Sequence, residues 1–227
     1  MTYQEFMSSP EKRQKYWARN YVGHDNFTSV RPNQTHRFFA DFERRRAGPL
    51  HWLVTQNVDN LHLAAGSRRL TELHGNAHRV VCVRCKTISS RKVLQARLTE
   101  SNPGFLSEAI VDVAPDGDAV VDDDVTKRFV VPACLTCGGD LKPDVVFFGD
   151  NVSKHKVEFV YKKTDECDGL FVVGSSLEVY SAFRFVRAAA RLGKPIAILN
   201  IGKTRGDRMA QLKVEGVCSE ILSLIKM

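Results

Sequence analysis

Four side chains in one short stretch carry groups suited to chemistry on a sugar or an amide. In TQNVDNLHLAAGSRRLTELHG, residues 55 to 75, Gln56, Asn57 and Asp59 follow one apolar run and His74 follows another. Side-chain amides and a carboxylate can hold hydroxyls and a carboxamide, and an imidazole exchanges a proton near neutral pH. The same residue types also serve humbler ends: Asn and Asp stabilise turns, and a histidine after a strand is often an ordinary hydrogen-bonded residue. A second chemical set is Cys82-x-x-Cys85 with Cys134-x-x-Cys137. With no secretory signal in view, two close pairs point to metal rather than disulfides. Four thiolates around one Zn²⁺ make a closed, structural site. Arg79, Arg84 and Lys86 stand beside the first pair, where they offset its negative charge. Redox pairs and buried free thiols are the alternatives, but a redox CxxC opens a helix and neither pair shows that pattern. Cys167 reads as a core residue.

The elements that must position these groups follow from periodicity. Leu50 to Val54 and Leu70 to Leu73 have the length and bulk of buried strands, with a short helix between them near 60 to 65. Polar groups at neighbouring strand ends would then face one crevice, as in open α/β sheets. Upstream, Ser9 and Pro10 read as N-cap and first residue of a helix through EKRQKYWARN. A second helix is expected from Asn33 through Phe38, Phe39 and Phe42 to Arg44-Arg45-Arg46, stopped by Gly48-Pro49. Three arginines there suit the negative end of the helix dipole. From Arg79 to about Gly139 the composition shifts to a small inserted module holding the cysteines and an acidic run, Asp112 to Asp124. The α/β rhythm resumes with PDVVFFG, a helix from Ser153 to about Cys167, the strand LFVVG, a helix from Tyr180 to Leu192, the strand PIAILN and a helix from about Ser219 to Lys226. The fold class expected is α/β, a Rossmann-like doubly wound parallel sheet (1–78 and 140–227) with a small inserted four-cysteine zinc module (79–139). Two strand-to-turn junctions could meet a phosphate or ribose: Gly174-Ser175-Ser176 after LFVV, and Asn200-Ile201-Gly202 after PIAIL.

The chain has 227 residues, 43% of them hydrophobic, enough for one sizeable core and a small module. No apolar run approaches the roughly 20 residues needed to cross a bilayer, so a soluble protein with no membrane partner is expected. The formal charge of +7 suits acidic partners. Basic and acidic residues are interspersed, however, and no aromatic-basic interleaving suggests a nucleic-acid groove. The first residues include Glu5 and Glu11 and lack the acid-poor character of a transit peptide.

TQNVDNLH with AGSRRLTELHG resembles the catalytic segment of the sirtuins, NAD-dependent protein deacylases and ADP-ribosyltransferases. The likeness continues in the CxxC pairs, in KPDVVFFGD, VVGSSLEVY and AILNIG, and upstream in PNxxH at Pro32, Asn33 and His36. YWARNYVG, APDGD at Ala114 to Asp118 and the C-terminal third are most similar to the mitochondrial class II branch. The resemblance implies that Gln56, Asn57, Val58 and Asp59 take the nicotinamide ribose, that Gly174, Ser175, Ser176, Asn200, Ile201 and Gly202 line the NAD cleft, and that Cys218 lies near the adenine. It implies that Val145, Val146, Phe147, Phe148 and Gly149 offer a strand edge to an acyl-lysine peptide. It further implies attack of the acyl oxygen on the ribose C1′ with loss of nicotinamide, and His74 as general base on a ribose hydroxyl so that the acyl group moves to the sugar, with Asn57 and Asp59 as positioning groups. ADP-ribosyl transfer shares the first step. Acylated-lysine substrates among mitochondrial metabolic enzymes, removal of acetyl, lipoyl, biotinyl or branched acyl groups, and a matrix location are further implications.

One departure stands beside these matches. The family pattern opens with an apolar strand and a GAG-type loop that cradles the pyrophosphate, and this sequence holds neither. The expectation from this alone is a truncated form that folds poorly or binds NAD weakly. Two rival readings remain at this stage: a catalytically impaired zinc-containing module that contacts partners, and a zinc-ribbon nucleic-acid protein.

Overall fold

The computed structural model describes residues 1–45, 50–108, 112–113 and 119–225. The elements run α1 Tyr3–Ser8, α2 Pro10–Ser29, α3 Gln34–Arg44, β1 Leu53–Thr55, α4 Leu61–Ala64, β2 Leu70–Glu72, β3 Gly75–Cys82, β4 Ile88–Ser90, α5 Arg91–Ser101, α6 Phe105–Glu108, β5 Asp112–Val113, β6 Ala119–Val120 and α7 Asp123–Thr126. They continue with β7 Leu141–Val145, α8 Lys154–Glu166, β8 Leu170–Val173, α9 Tyr180–Arg191, β9 Ile196–Leu199, a 3-10 turn Asp207–Met209, β10 Leu212–Val214 and α10 Cys218–Leu224. Arg46, Gly48, Pro49, the APDGD segment and Lys226 lie outside the described residues. The chain divides into two compact units: residues 1–30, 57–60 and 74–151, and residues 31–56, 61–73 and 152–227.

Helix starts obey local chemistry. Ser9 accepts from the Lys12 N–H and Pro10 opens α2. Asn33 is the cap of α3 rather than its first residue: its side chain accepts from the His36 N–H, and the His36 ring reaches back to the Asn33 backbone. The PNxxH motif is therefore a capping box. α1 has its own box, Thr2 with Glu5, in a stretch where the sequence reading expects no element.

The second unit holds the parallel α/β part. β1 and β2 pair in parallel with Thr55 level with Glu72. β10, β9 and β8 form a second parallel sheet in that order. β1 begins at Leu53, so Leu50, His51 and Trp52 lie outside the strand expected over 50–54; Trp52 instead turns its Nε1–H to the Thr71 hydroxyl and packs its ring on Phe159. α9 presents Phe183, Val186 and Ala189 to Val172, Ile196 and Ile198. Phe38 and Phe39 of α3 pack with Leu199 and Leu222. Each such large apolar side chain contributes about 1.5–3 kcal/mol when buried. Glu43, buried at the end of α3, accepts from the Arg68 and Arg69 N–H groups and so fixes the entry to β2.

The first unit departs from the sequence reading. PDVVFFG does not resume a parallel rhythm. Leu141–Val145 pairs antiparallel with β3, whose other edge carries β4. β3 begins at Gly75, directly after His74, four residues before the expected module boundary. Trp17 of α2, fully buried, donates Nε1–H to the Leu141 carbonyl and centres a core with Tyr21, Val80, Leu94, Leu98 and Phe129. The antiparallel pairing requires a close approach at Gly75, where φ is +91° and a Cβ would stand 2.0 Å from the Asp144 carbonyl oxygen. No side chain fits there.

Gly66 supplies the control for that position, with φ +103° but open space where a Cβ would point. Gly66→Ala should cost about 1–2 kcal/mol in urea unfolding, the ordinary penalty of a left-handed residue. Gly75→Ala should cost clearly more, and equal losses would show that the β3–β7 approach relaxes freely.

Candidate active site

The residues that follow His74 bond to the segment after β1, within the first unit, through one backbone and two side-chain bonds. The Ala77 N–H donates to the Val58 carbonyl at 2.8 Å, the His78 ring meets the Asp59 carbonyl at 3.2 Å, and the Asn76 amide donates to Asn60 Oδ1 at 2.9 Å. Asn57, Val58 and Asp59 thus lie along the start of β3, immediately after His74. Asn60 takes a left-handed conformation, φ +65°, a turn role that Asn tolerates better than most residues. Asn57 is exposed, while Val58, Asp59 and His74 are half-buried. The His74 carbonyl accepts from the Val146 N–H at 2.8 Å, which carries the expected peptide-binding stretch to the same place.

That stretch is strand only to Val145. Beyond it, the Tyr3 N–H donates to the Phe148 carbonyl at 2.9 Å and the Gln4 amide to the Gly149 carbonyl at 3.1 Å. Phe147 packs its ring on Phe6 and Tyr16, whereas Phe148 is 75% exposed. Residues 146 to 149 therefore leave the strand and turn at Gly149, edged by the N-terminus, and are not the full strand expected. Lys142, which the sequence reading passed over, donates to the Pro143 and Val145 carbonyls and sits over the Phe147 ring. Burial pushes its ammonium pKa below the usual lysine range.

The second unit gathers the dinucleotide candidates. Gln56 leaves β1 and donates to the Ser175 hydroxyl at 2.8 Å, tying it to the turn after β8. The Leu177 N–H donates to the same hydroxyl, so the turn closes on itself. Gly174 has φ +60°, and its N–H donates to the Leu199 carbonyl. A Cβ on Gly174 would meet the Cys218 sulfur at 3.6 Å, which puts Cys218, first residue of α10, against this turn. The Ser176 carbonyl accepts from the Arg205 N–H, joining the turn to the loop after β9. Asn200 is buried, while Ile201 and Gly202 are exposed. Glycine, hydroxyl and amide groups of this kind fit a ribose or a phosphate at close approach.

The four cysteines converge as their spacing predicts. All four sulfurs lie within 4.8 Å of one another, with Cys82–Cys137 at 3.5 Å and Cys85–Cys134 at 3.8 Å. Thiolates bound to Zn²⁺ at about 2.3 Å stand about 3.8 Å apart in a tetrahedron, so the donor set fits one zinc ion. The Thr87 hydroxyl and N–H bring the Cys85 thiol down to about 6. Cys137 receives the Gly139 N–H, which favours its thiolate, but crowding by Cys85 and the other sulfurs drives it up to about 11. Such opposed neighbours cannot all ionise without a cation among them. Cys167 stands apart, its thiol bonded to the Thr164 carbonyl at the end of α8.

The Sir2 family profile matches residues 1–181. The chain belongs to the Sir2 family. It is 52% identical over 221 residues to the bovine (Bos taurus) NAD-dependent protein lipoamidase sirtuin-4, mitochondrial, covering 97% of this chain and 69% of that protein. Against an NAD-dependent protein deacetylase of Xanthomonas campestris pv. campestris (strain 8004) it is 49% identical over 226 residues, 100% of this chain and 76% of the relative. Among solved structures, one described as Sir2 bound to acetylated peptide superposes with a TM-score of 0.75 at 28% identity, over 96% of this chain and 78% of the other. This sirtuin thus shows the α/β fold and the four-cysteine cluster that the sequence motifs indicate. Lys142, Asn60, Asn76 and Lys213 escaped the sequence reading because an isolated lysine or asparagine carries no spacing signal.

Metal removal gives a direct test of the cluster. The purified sirtuin should carry one zinc per chain. Chelation should release it more readily as pH falls, because protons compete for the thiolates. It should also lower the melting temperature. Cys134→Ala should lose the metal at neutral pH, and full zinc content in that variant would contradict the four-sulfur site.

Proposed function

We propose that this sirtuin is an NAD-dependent protein-lysine deacylase of the deacetylase and lipoamidase kind. The observation that supports the reading is that Ala77 and His78, just after His74, bond to the Val58 and Asp59 carbonyls, while the His74 carbonyl itself accepts from the Val146 N–H. NAD, when bound, supplies the glycosidic bond whose cleavage releases nicotinamide and gives the acyl group its acceptor. His74 accepts a proton from a hydroxyl near neutral pH. The Asn57 amide and the Asp59 carboxylate hold hydroxyls and a carboxamide in place, and Gln56, Gly174, Ser175, Ser176, Asn200, Ile201, Gly202 and Cys218 take the rest of the dinucleotide. Val145 to Gly149 receive the acyl-lysine peptide, with exposed Phe148 as an apolar wall.

The bovine relative's name supports lipoyl among the acyl groups removed and a mitochondrial setting. The Xanthomonas relative supports acetyl. ADP-ribosyl transfer to a protein uses the same residues up to nicotinamide release and is a second outcome of the same site. The zinc module, residues 79–139, has a structural role in this reading.

His74→Ala should lower deacylation of an acetyl- or lipoyl-lysine peptide about 10²- to 10⁴-fold, the usual contribution of a general base. Zinc content and NAD affinity should stay as in the parent chain. Acyl transfer at the parental rate in that variant would refute the assignment.

A further inference from the structure

A lysine from the neighbouring strand reaches the loop that follows β9, where the Asn200 amide also meets the Gly202 carbonyl at 3.4 Å. Lys213 lies in β10, opposite Ile198 of β9, so its stem starts from a fixed backbone. Its ammonium donates to the Gly202 carbonyl at 3.0 Å, pairs with Asp207 Oδ2 at 2.7 Å and meets Glu215 at 3.2 Å. Asp207 in turn accepts from the Thr204 hydroxyl at 2.5 Å, and that hydroxyl accepts from the Gly206 N–H at 3.1 Å. Lys213, with Thr204 beside it, draws the Asp207 carboxyl down to about 2. Asp207 draws the lysine in the opposite direction, above its usual range. The pair stays charged across the physiological range.

The consequence lies in the direction of two peptide planes. The Asn200 amide donates to the Ile201 carbonyl at 2.8 Å, and Lys213 holds the Gly202 carbonyl. A trans peptide points its N–H opposite to its C=O. Two successive carbonyls held inward therefore turn the N–H groups of Gly202 and Lys203 outward, side by side. Gly202, at φ +78°, permits this reversal. Adjacent outward N–H groups form a concavity suited to ribose hydroxyls or phosphate oxygens. Neither N–H donates to the protein backbone among the described residues.

We propose that Lys213, braced by Asp207, is a positioning residue that shapes the Asn200–Gly202 loop for the NAD ribose and phosphates. This rests on the reading of Asn200, Ile201 and Gly202 as dinucleotide-binding residues. Lys213 acts through the loop and does not touch the reacting atoms.

The test uses the full chain with Lys213→Met, Lys213→Arg and Asp207→Asn, an acetyl-lysine peptide and NAD. Lys213→Met should raise the KM for NAD about tenfold or more and move the KM for peptide by less than about twofold, since charge-assisted bonds to one loop are lost. Lys213→Arg should restore most of the NAD affinity, and Asp207→Asn should fall between. Hydrogen exchange at amides 201–206 should quicken about tenfold in Lys213→Met, with β8 and β9 unchanged. Faster loop exchange with an unaltered KM for NAD would overturn the proposal, as would unaltered exchange. A parent chain that turns over no NAD overturns the functional reading, and this inference with it, before any variant is compared.

Discussion

The candidate active site depends on backbone bonds between two stretches that are close in sequence. The Leu73 N–H donates to the Thr55 carbonyl, and four residues later the Ala77 N–H donates to Val58. In the chain, Gln56 and Asn57 stand between Thr55 and Val58, and His74 stands between Leu73 and Ala77. Backbone groups must be satisfied wherever they are buried, so these bonds are obligatory as well as positional. Gly75 makes the arrangement sterically possible: only a residue without a side chain lets β3 come so close to Asp144 directly after the histidine.

A second constraint is the charge placed on each unit's scaffold. In the first unit, the Gly139 N–H favours the Cys137 thiolate while the neighbouring sulfurs drive that thiol up, and one zinc ion would take all four cysteines as thiolates. The strand that carries Cys82 is the one that begins at Gly75, directly after His74. In the second unit the equivalent role falls to ion pairs and caps. Glu43 pins the entry to β2, and the Lys213–Asp207 pair pins the loop after β9.

The sequence made legible whatever rests on local rules. Ser9 and Pro10 announced α2, Asn33 announced the start of α3, and CxxC spacing announced the four-sulfur cluster. Residues 55 to 75 stand out because their match to the family wording is long. What stayed hidden depends on partners remote in sequence. LKPDV reads equally well as a parallel or an antiparallel strand, and the choice was made by β3 and by Trp17 reaching the Leu141 carbonyl. β10 has three residues, too few for alternation to register. Leu50 to Trp52 look as apolar as a strand, yet the Trp52 indole prefers the Thr71 hydroxyl and the Phe159 ring. Lys142 and Lys213 are single cations whose meaning lies wholly in the carbonyls they reach.

The most direct measurement is the product balance of the parent chain, followed by mass spectrometry with NAD and an acyl-lysine peptide. The account predicts one nicotinamide and one acylated ADP-ribose for every lysine freed. Release of the acyl group as a free acid with NAD left intact would contradict it.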